Sequence, residues 1–186
     1  MTPLRDIMKY ERIPAPIDMG KQSDSCMSFL AFHYKEFLEI KKEGKLPLVT
    51  DDTGRFVCGF PVPNFQRPLV WTLEQEILFI ESAWLGLPLG SFTIHAMNWG
   101  DGGVAHKFSG WVIDGQQRLH TTERYWNDKF KVFGLYWSEL NRIEKRRFES
   151  IKFTHTESDL WDEAKIRDLY NRLALGGTPH TEDQRA

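Results

Sequence analysis

The 186-residue sequence contains only two cysteines, Cys26 and Cys58, and they do not form a spacing typical of metal ligands. So few thiols in a chain of this length indicate a reducing compartment, with both cysteines as part-buried structural residues. No run of apolar residues approaches the length of a membrane-spanning helix, and the N-terminal residues lack the apolar stretch of a signal peptide. We therefore expect a cytoplasmic protein with no membrane partner.

Neither sign of charge is in large excess: 24 Lys and Arg residues oppose 26 Asp and Glu residues, a formal net charge of −2. Global electrostatics therefore give no reason to bind nucleic acid or an anionic membrane, although a local basic face remains compatible with this balance. The contents of apolar residues (41%) and charged residues (27%) are those of a globular protein. We expect an extended lead-in over residues 1–20 and a single domain over residues 21–186.

Hydrophobic periodicity and capping signals predict an alternation of helices and strands. Helices are expected over residues 25–42, from a capping box at Thr72 and Gln75 to Gly86, over 116–127, from a cap at Ser138 to 149, and over 159–175. Strands are expected over 55–60, 91–97, 111–113, 131–136 and 151–153. Since several strands are short and successive ones can pair antiparallel, the predicted fold class is α+β (mixed α/β), with a small mixed sheet flanked by helices.

The strongest chemical feature is the segment Asp114-Gly115-Gln116-Gln117-Arg118, which joins a predicted strand to a predicted helix. The N-terminus of a helix presents free backbone N–H groups and favours negative charge. Gly115 permits positive φ and close approach of a phosphate, and Arg118 adds a permanently charged fork. The amides of Gln116 and Gln117 can bind phosphate or orient a water, and Asp114 can hold Mg²⁺.

A structural interpretation of the same five residues carries similar weight, because Asp-Gly-x-x-Arg is short and common. In that interpretation Asp114 caps the helix, Arg118 pairs with a nearby carboxylate and both glutamines face solvent.

Two further segments are weaker when taken alone. Prolines at positions 63 and 68 stiffen the segment that contains Gln66 and Arg67, which either covers a ligand or forms a rigid edge strand. A predicted helix that contains Asn171 is followed by two glycines at 176 and 177, which is ordinarily a C-terminal cap.

Taken together, these segments resemble the N-terminal domain of GmrSD-type modification-dependent restriction systems, a family with a ParB/sulfiredoxin-like fold. The matching stretches are residues 62–71, 80–89, 112–119, and 170–172 with 176–179, in the order of the family. They span about two-thirds of the chain. The family's Asp-Gly-Gln-Gln-Arg motif occurs here without departure, and its Gln-Arg element matches Gln66 and Arg67.

The resemblance implies binding and hydrolysis of a nucleoside triphosphate, often GTP, coupled to restriction of modified or foreign DNA. The implied catalytic residues are Asp114, Gln116, Gln117 and Arg118, and Asp114 is also the implied ligand of Mg²⁺. The implied nucleotide-binding residues are Gln66, Arg67, Gly115, Arg118, Thr121 and Asn171. The ParB branch of the fold handles CTP, so the base stays open. The sulfiredoxin branch uses a cysteine in this turn; its absence here argues against redox chemistry.

The sequence departs from longer relatives, which continue into an HNH-type nuclease domain, whereas this sequence ends at Ala186. Its six histidines, at positions 33, 95, 106, 120, 155 and 180, show no paired metal spacing. We therefore expect no nuclease activity in this chain and a partner nuclease or a host defence protein as a candidate partner.

A basic cluster is the remaining candidate site. Arg142, Lys145, Arg146 and Arg147 could contact a DNA backbone, although the same pattern suits an exposed helix with local ion pairs. Two other functions stay open: a non-catalytic DNA- or protein-binding module of ParB-like fold, acting as a regulator or decoy, and a ParB-like DNA clamp. An oligomer is compatible with each of them.

Overall fold

A computed structural model describes residues 15–44, 53–99 and 105–175. The helices in these ranges are α1 (Met27–Lys42), α2 (Leu73–Trp84), α3 (Gln116–Trp126), α4 (Arg142–Glu149) and α5 (Glu163–Leu175). The strands are β1 (Lys21–Ser23), β2 (Thr53–Val57), β3 (Phe60–Pro63), β4 (Phe92–His95), β5 (Val112–Asp114) and β6 (His155–Ser158). The predicted α+β class with small sheets is confirmed.

The larger sheet has the strand order β1-β6-β4-β5. Strands β1 and β6 are antiparallel, β6 and β4 are parallel, and β4 and β5 are antiparallel, so the sheet is mixed. Because side chains alternate across a strand, β5 supplies Val112 to one core and Ile113 to the other. The sheet is thus covered on both faces.

The two cores differ in the helices that supply them. Helix α5 packs through Ile166 and Leu169 against Ile113 and the aromatic residues Phe108 and Trp111. The larger core on the opposite face combines helices α1 to α4 with the sheet and includes Met27, Leu30, Ile80, Ala83, Phe92, Ile94, Leu119, Tyr125 and Phe148. This arrangement places the end of β5 between α3 on one side and α5 on the other.

Strands β2 and β3 form a separate two-stranded hairpin, so the prediction of one strand over residues 55–60 was wrong. The hairpin turns at Cys58 and Gly59, which have φ values of 48° and 84°, the backbone that a two-residue hairpin turn requires. Pro61 and Pro63 lie within β3 instead of ending the strand. A two-stranded ribbon tolerates them because both of its strands are edge strands.

Two predictions between residues 131 and 149 were wrong. Residues 131–136 form no strand: Val132 and Leu135 exchange two backbone hydrogen bonds around a tight turn that includes Gly134, and no neighbouring strand extends the pairing. Ser138 does not cap a helix but lies in a short 3-10 helix at Trp137–Glu139. The cap of α4 is Asn141, whose side chain accepts hydrogen bonds from the N–H groups of Ile143 and Glu144.

The predicted strand at residues 151–153 was also displaced. Ile151 O accepts a backbone hydrogen bond from Met27 N, and Phe153 N donates one to Ser25 O. The strand in this region is the polar segment β6, which follows these residues. Strand β1 was missed for the same reason, since a polar edge strand of three residues carries no hydrophobic signal. Helix α5 begins four residues after the predicted start.

Other predictions fall outside the described residues. These are the lead-in at residues 1–14, the glycines at 176–177 and His180. Residues 15–20 contain neither helix nor strand.

Candidate functional site

The turn between β5 and α3 depends on Gly115. This residue has φ of 93°, and a Cβ added to it would lie 2.5 Å from the Cβ of Phe92 in β4. Any other residue would therefore strain the backbone and overlap the neighbouring strand. The absence of a side chain lets the turn pack directly on the sheet and aims the start of α3 outward from the end of β5.

Helix α3 begins at this glycine without a side-chain cap. Its first regular backbone hydrogen bond is donated by Leu119 N to Gly115 O at 3.0 Å. The N–H groups of residues 116–118 precede that bond and have no acceptor within the helix. The segment therefore offers several backbone donors and the positive end of a helix dipole at one point.

The Arg118 side chain is held beside this helix terminus. Its Nη2 donates to Asp114 Oδ2 at 2.7 Å, and both side chains are partly exposed. Its Nη1 lies against Gly90, where an added Cβ would approach to 3.0 Å. The Nε of Arg118 is buried and has no hydrogen-bond acceptor among the described residues. A fixed guanidinium with an unused buried donor favours an additional, negatively charged acceptor.

Both glutamines of the turn hold a neighbouring segment, residues 66–71, which we call the strap. Gln117 Oε1 accepts hydrogen bonds from the N–H groups of Val70 (3.1 Å) and Trp71 (3.3 Å), and its Nε2 donates to Pro68 O at 3.2 Å. Gln116 Nε2 donates to Arg67 O at 3.0 Å. Both glutamine side chains are buried, which differs from the solvent-exposed positions of the structural interpretation.

That interpretation is mixed in its other details. Asp114 is not the helix cap, because Gly115 occupies that position. Its expected pairing of Arg118 with a local carboxylate is observed, with Asp114 as the partner.

Arg55 of β2 joins the strap to α3 and was missed by sequence reasoning. Its Nη2 donates to Gln116 Oε1 at 2.5 Å and to Arg67 O at 2.7 Å. The available signal was an arginine within a short apolar strand, but its partners are 12 and 61 residues away along the chain. Only the tertiary fold could identify them.

Gln66 and Arg67 lie at the start of the strap. Gln66 is buried, its Nε2 donates to Val112 O, and its Oε1 has no hydrogen-bond donor among the described residues. The Arg67 N–H donates to the hydroxyl of Tyr170 on α5 at 3.1 Å. The Arg67 guanidinium is exposed and makes no hydrogen bond or ion pair with the described part of the chain.

These elements surround a cleft of about 140 Å³. Its lining comprises Gln66, Arg67, Trp71, Asp114, Gly115, Gln116, Gln117, Arg118, Tyr170, Leu173 and Ala174. The lining contains two arginines and one carboxylate, so its formal charge favours an anion. Typical small-molecule sites measure about 300–1,000 Å³, so this cleft has room for part of a nucleotide, such as its phosphates.

A histidine one turn further along α3 adds no cation to this region at neutral pH. Burial lowers the pKa of His120, and the charges of Arg124 and Arg55 act in the same direction. His120 lines a different cavity, together with Tyr34, Glu123, Arg124, Asn127 and Lys129.

The structure brings the predicted residues 66, 67 and 114–118 together, but not all the others. Thr121 is fully buried, its Oγ1 has no hydrogen-bond partner among the described residues, and it does not line the cleft; Asn171 is exposed on α5 beside Tyr170 and does not line it either. Within the described ranges, no group of three or more His, Cys, Asp or Glu residues could hold a metal ion.

The basic cluster lies on α4, apart from the cleft lining. Lys145 contacts the Trp137 ring and Ser138 O, and Arg147 lies over Trp84 and donates to its carbonyl. Arg142 and Arg146 are exposed.

The fold and the site together define an α+β domain with an uncapped helix N-terminus that faces two arginines. Residues 47–183 match the model of the family described as the GmrSD restriction endonuclease, N-terminal domain. The chain belongs to this family of restriction-system domains, as the four sequence motifs predicted. No curated protein and no solved structure matches the chain. None of the described helices is both long and apolar enough to cross a membrane.

Proposed function

We propose that the chain binds a nucleoside triphosphate in the cleft beside Arg118 and hydrolyses it with Mg²⁺, as the nucleotide-dependent part of a restriction or phage-defence system. The observation that carries this proposal is the unused donor capacity of the cleft. The buried Nε of Arg118, the guanidinium of Arg67 and the first N–H groups of α3 have no acceptor among the described residues, and all of these residues line the cleft. GTP is the favoured nucleotide because of the family resemblance.

Each of these groups suits a phosphate. An arginine fork binds two phosphate oxygens and stays charged at any physiological pH. Backbone N–H groups at a helix N-terminus bind phosphate without a counter-charge, and Gly115 lets an oxygen approach them closely. Phosphoryl transfer needs mainly positioning and neutralisation of charge, which this set of donors supplies.

Asp114 fits the Mg²⁺ that a triphosphate carries. Mg²⁺ commonly binds through one or two carboxylates together with phosphate oxygens and waters, and one carboxylate is what the cleft offers. Asp114 Oδ2 is bonded to Arg118, which leaves Oδ1 for the ion. When bound, Mg²⁺ would neutralise charge on the phosphates. Asp114 would then orient both the ion and the Arg118 fork.

In this structure Gln116 and Gln117 hold the strap in place through their side-chain amides. Since the amides of Gln116 and Gln117 are bonded to residues 67–71, orientation of a water by either side chain requires that some of these bonds open. That role stays a prediction, as do contacts of the nucleotide with Thr121 and Asn171. The ParB-like relationship of the fold is likewise part of the proposal.

A second candidate is a ParB-like module that binds nucleotide, DNA or a partner without turnover. The engagement of both glutamine amides by the strap favours it, because neither is free to orient a water. A partner nuclease or a host defence protein would then supply the effector. In this candidate the cluster of Arg142, Lys145, Arg146 and Arg147 would contact DNA.

The test is nucleotide binding and phosphate release by the purified chain with GTP, ATP, CTP and UTP in the presence of Mg²⁺. Charged hydrogen bonds contribute about 1.5–3 kcal/mol each, so Arg118→Ala should weaken binding by roughly tenfold to a hundredfold. Arg146→Ala, which removes an exposed arginine of α4, is the matched control and should bind normally.

The outcomes separate the candidates. Arg118-dependent phosphate release supports the hydrolase. Arg118-dependent binding without release supports the second candidate. Triphosphate binding by Arg118→Ala at wild-type affinity contradicts the assignment of the site.

A further inference from the structure

Two residues that line the cleft each contain a buried side-chain atom that lacks a partner among the described residues, and the two atoms are of opposite kind. Arg118 Nε is a donor without an acceptor, and Gln66 Oε1 is an acceptor without a donor. Buried polar atoms are nearly always hydrogen-bonded in native proteins, so each unpaired atom in a cleft indicates what a ligand should supply. A phosphate oxygen satisfies the first atom but not the second.

The chemical identity of the unpaired Gln66 atom follows from its surroundings. The other end of the amide faces two backbone carbonyls, Val112 O, with which it bonds, and Ile113 O at 3.4 Å. A carbonyl cannot donate, so the group that faces these oxygens must be the NH₂ end. The unpaired end is therefore the oxygen. Because Gln66 is only 7% exposed, it cannot rotate this oxygen freely into bulk water.

An unpaired acceptor requires a donor on the ligand. At pH 8 the terminal phosphate of a nucleotide has lost its last proton, since the corresponding pKa is about 6, and it then offers only acceptors. Within the nucleotide itself, a donor can then come only from the nucleoside part. The sugar is the part of the nucleoside that is covalently nearest to the phosphates, and a cleft of about 140 Å³ holds little beyond a sugar and a phosphate.

The far side of Gln66 has room for the remainder of the ligand. Gln66 also lines a second cavity of about 280 Å³, which is bordered by Arg55, Val62, Pro63, Asn64 and Pro68. The side chain thus lies between the space beside Arg118 and a larger space beside the β2–β3 hairpin. A ligand with its phosphates at Arg118 and its nucleoside directed toward the hairpin would pass the Gln66 side chain.

We propose that Gln66 Oε1 accepts a hydrogen bond from a ribose hydroxyl of the bound nucleotide and makes the site selective for ribonucleotides. This inference rests on the proposed function, because it assigns the second half of the same ligand. Arg118 binds the anionic part, and Gln66 recognises the sugar. Gln66 is then a specificity-determining residue, separate from the groups that stabilise the phosphates.

The experiment compares four probes at pH 8 with Mg²⁺: the best-bound ribonucleoside triphosphate, its 2′-deoxy analogue, its 3′-deoxy analogue and inorganic tripolyphosphate. Loss of the donor to a buried acceptor leaves that acceptor unsatisfied, so one deoxy analogue should bind about tenfold or more weakly than the ribonucleotide. Tripolyphosphate should lose the same contact. This comparison uses the unaltered protein and needs no variant.

A variant then assigns the discrimination to the residue. Gln66→Met, which keeps the length of the side chain but has no amide oxygen, should bind the ribonucleotide and the weaker deoxy analogue with equal affinity. Equal binding of both deoxy analogues and the ribonucleotide by the unaltered protein would overturn the inference, and so would discrimination that persists in folded Gln66→Met.

The failures of the two proposals are distinguishable. If all four probes bind equally and depend on Arg118, the phosphate site stands and the role of Gln66 is wrong. If no probe binds, both proposals fail. If Gln66→Met does not fold, the ligand comparison alone decides the outcome.

Discussion

Two helices of this domain begin in opposite ways, and the difference marks the site. Helix α2 begins at Thr72, whose side chain accepts a hydrogen bond from Gln75 N while the Gln75 side chain accepts one from Thr72 N. Helix α3 begins at Gly115, which has no side chain to act as a cap. The side chains at the start of α2 accept hydrogen bonds from its free N–H groups, whereas the free N–H groups at the start of α3 stay available to a ligand in the cleft.

The helix termini differ in how much a side-chain cap stabilises them. A capping side chain contributes about 1 kcal/mol to a helix, and α2 and α4 both have complete capping boxes. Helices α1 and α3 have no side-chain cap, but the Met27 N–H at the start of α1 donates to Ile151 O, and α3 is the uncapped helix that begins at the cleft. Proteins depart from locally optimal choices mainly at functional sites. The uncapped start of α3 is therefore consistent with a terminus kept open for an anion.

The largest effect is expected from a side chain at the open terminus. Gly115→Ala adds left-handed backbone strain of roughly 1–2 kcal/mol to an overlap with Phe92 that costs about 1–3 kcal/mol more. Urea denaturation should show a large loss of the free energy of unfolding. Gly86→Ala is the matched control, because φ is 75° there but the space around an added Cβ is open. Equal losses in the two variants would contradict the close packing of the turn.

A smaller effect is expected when the bonds between α3 and the strap are removed. Gln117→Leu keeps the approximate volume but deletes three hydrogen bonds to Pro68, Val70 and Trp71. At about 1 kcal/mol each, the loss should be roughly 2–3 kcal/mol by urea denaturation. The freed strap should also be cleaved faster by chymotrypsin after Trp71.

The control for the strap is Gln22→Leu, which replaces an exposed glutamine of β1 and should change neither property. A Gln117→Leu protein that unfolds and is cleaved like the wild type would show that the strap is held by other contacts.

The smallest effect is expected at the closed terminus. Thr72→Ala should cost about 1 kcal/mol by loss of the cap and leave the affinity for nucleotide unchanged, because the α2 terminus binds only its own side chains. Asn141→Ala, which removes the cap of α4, should behave alike. A change in nucleotide affinity in both variants would show that the two kinds of terminus are not functionally distinct.

Much of the fold was predictable where a local signal was strong. The capping box of α2, the helix after Gly115 and the strand that precedes Asp114 were each predicted within a few residues. Periodicity failed at strands β1 and β6, which are short and polar, because their pairing is decided by neighbours in the sheet. The predicted strand at residues 131–136 was also wrong, because this largely apolar segment forms a turn closed by backbone hydrogen bonds between Val132 and Leu135.

The candidate site was partly predictable. The motifs predicted that residues 66–67 and 114–118 work together, and the structure places them around one cleft. The role of Arg55 was not predictable, since its partners lie on α3 and on the strap. Nor could the motifs show that Gln116 and Gln117 are buried and bonded to the strap, since motif spacing contains no information on burial.

Local sequence signals are sufficient to specify the class of fold, the glycine that opens α3 and the residue types that can bind phosphate. These follow from local physics: hydrophobic period, capping chemistry and the left-handed backbone that glycine accepts. The tertiary structure sets which donors and acceptors stay unpaired, because hydrogen-bond satisfaction depends on segments that are distant in sequence. Among the described residues it leaves Arg118 Nε and Gln66 Oε1 without partners, and these are the atoms that the proposed nucleotide would contact.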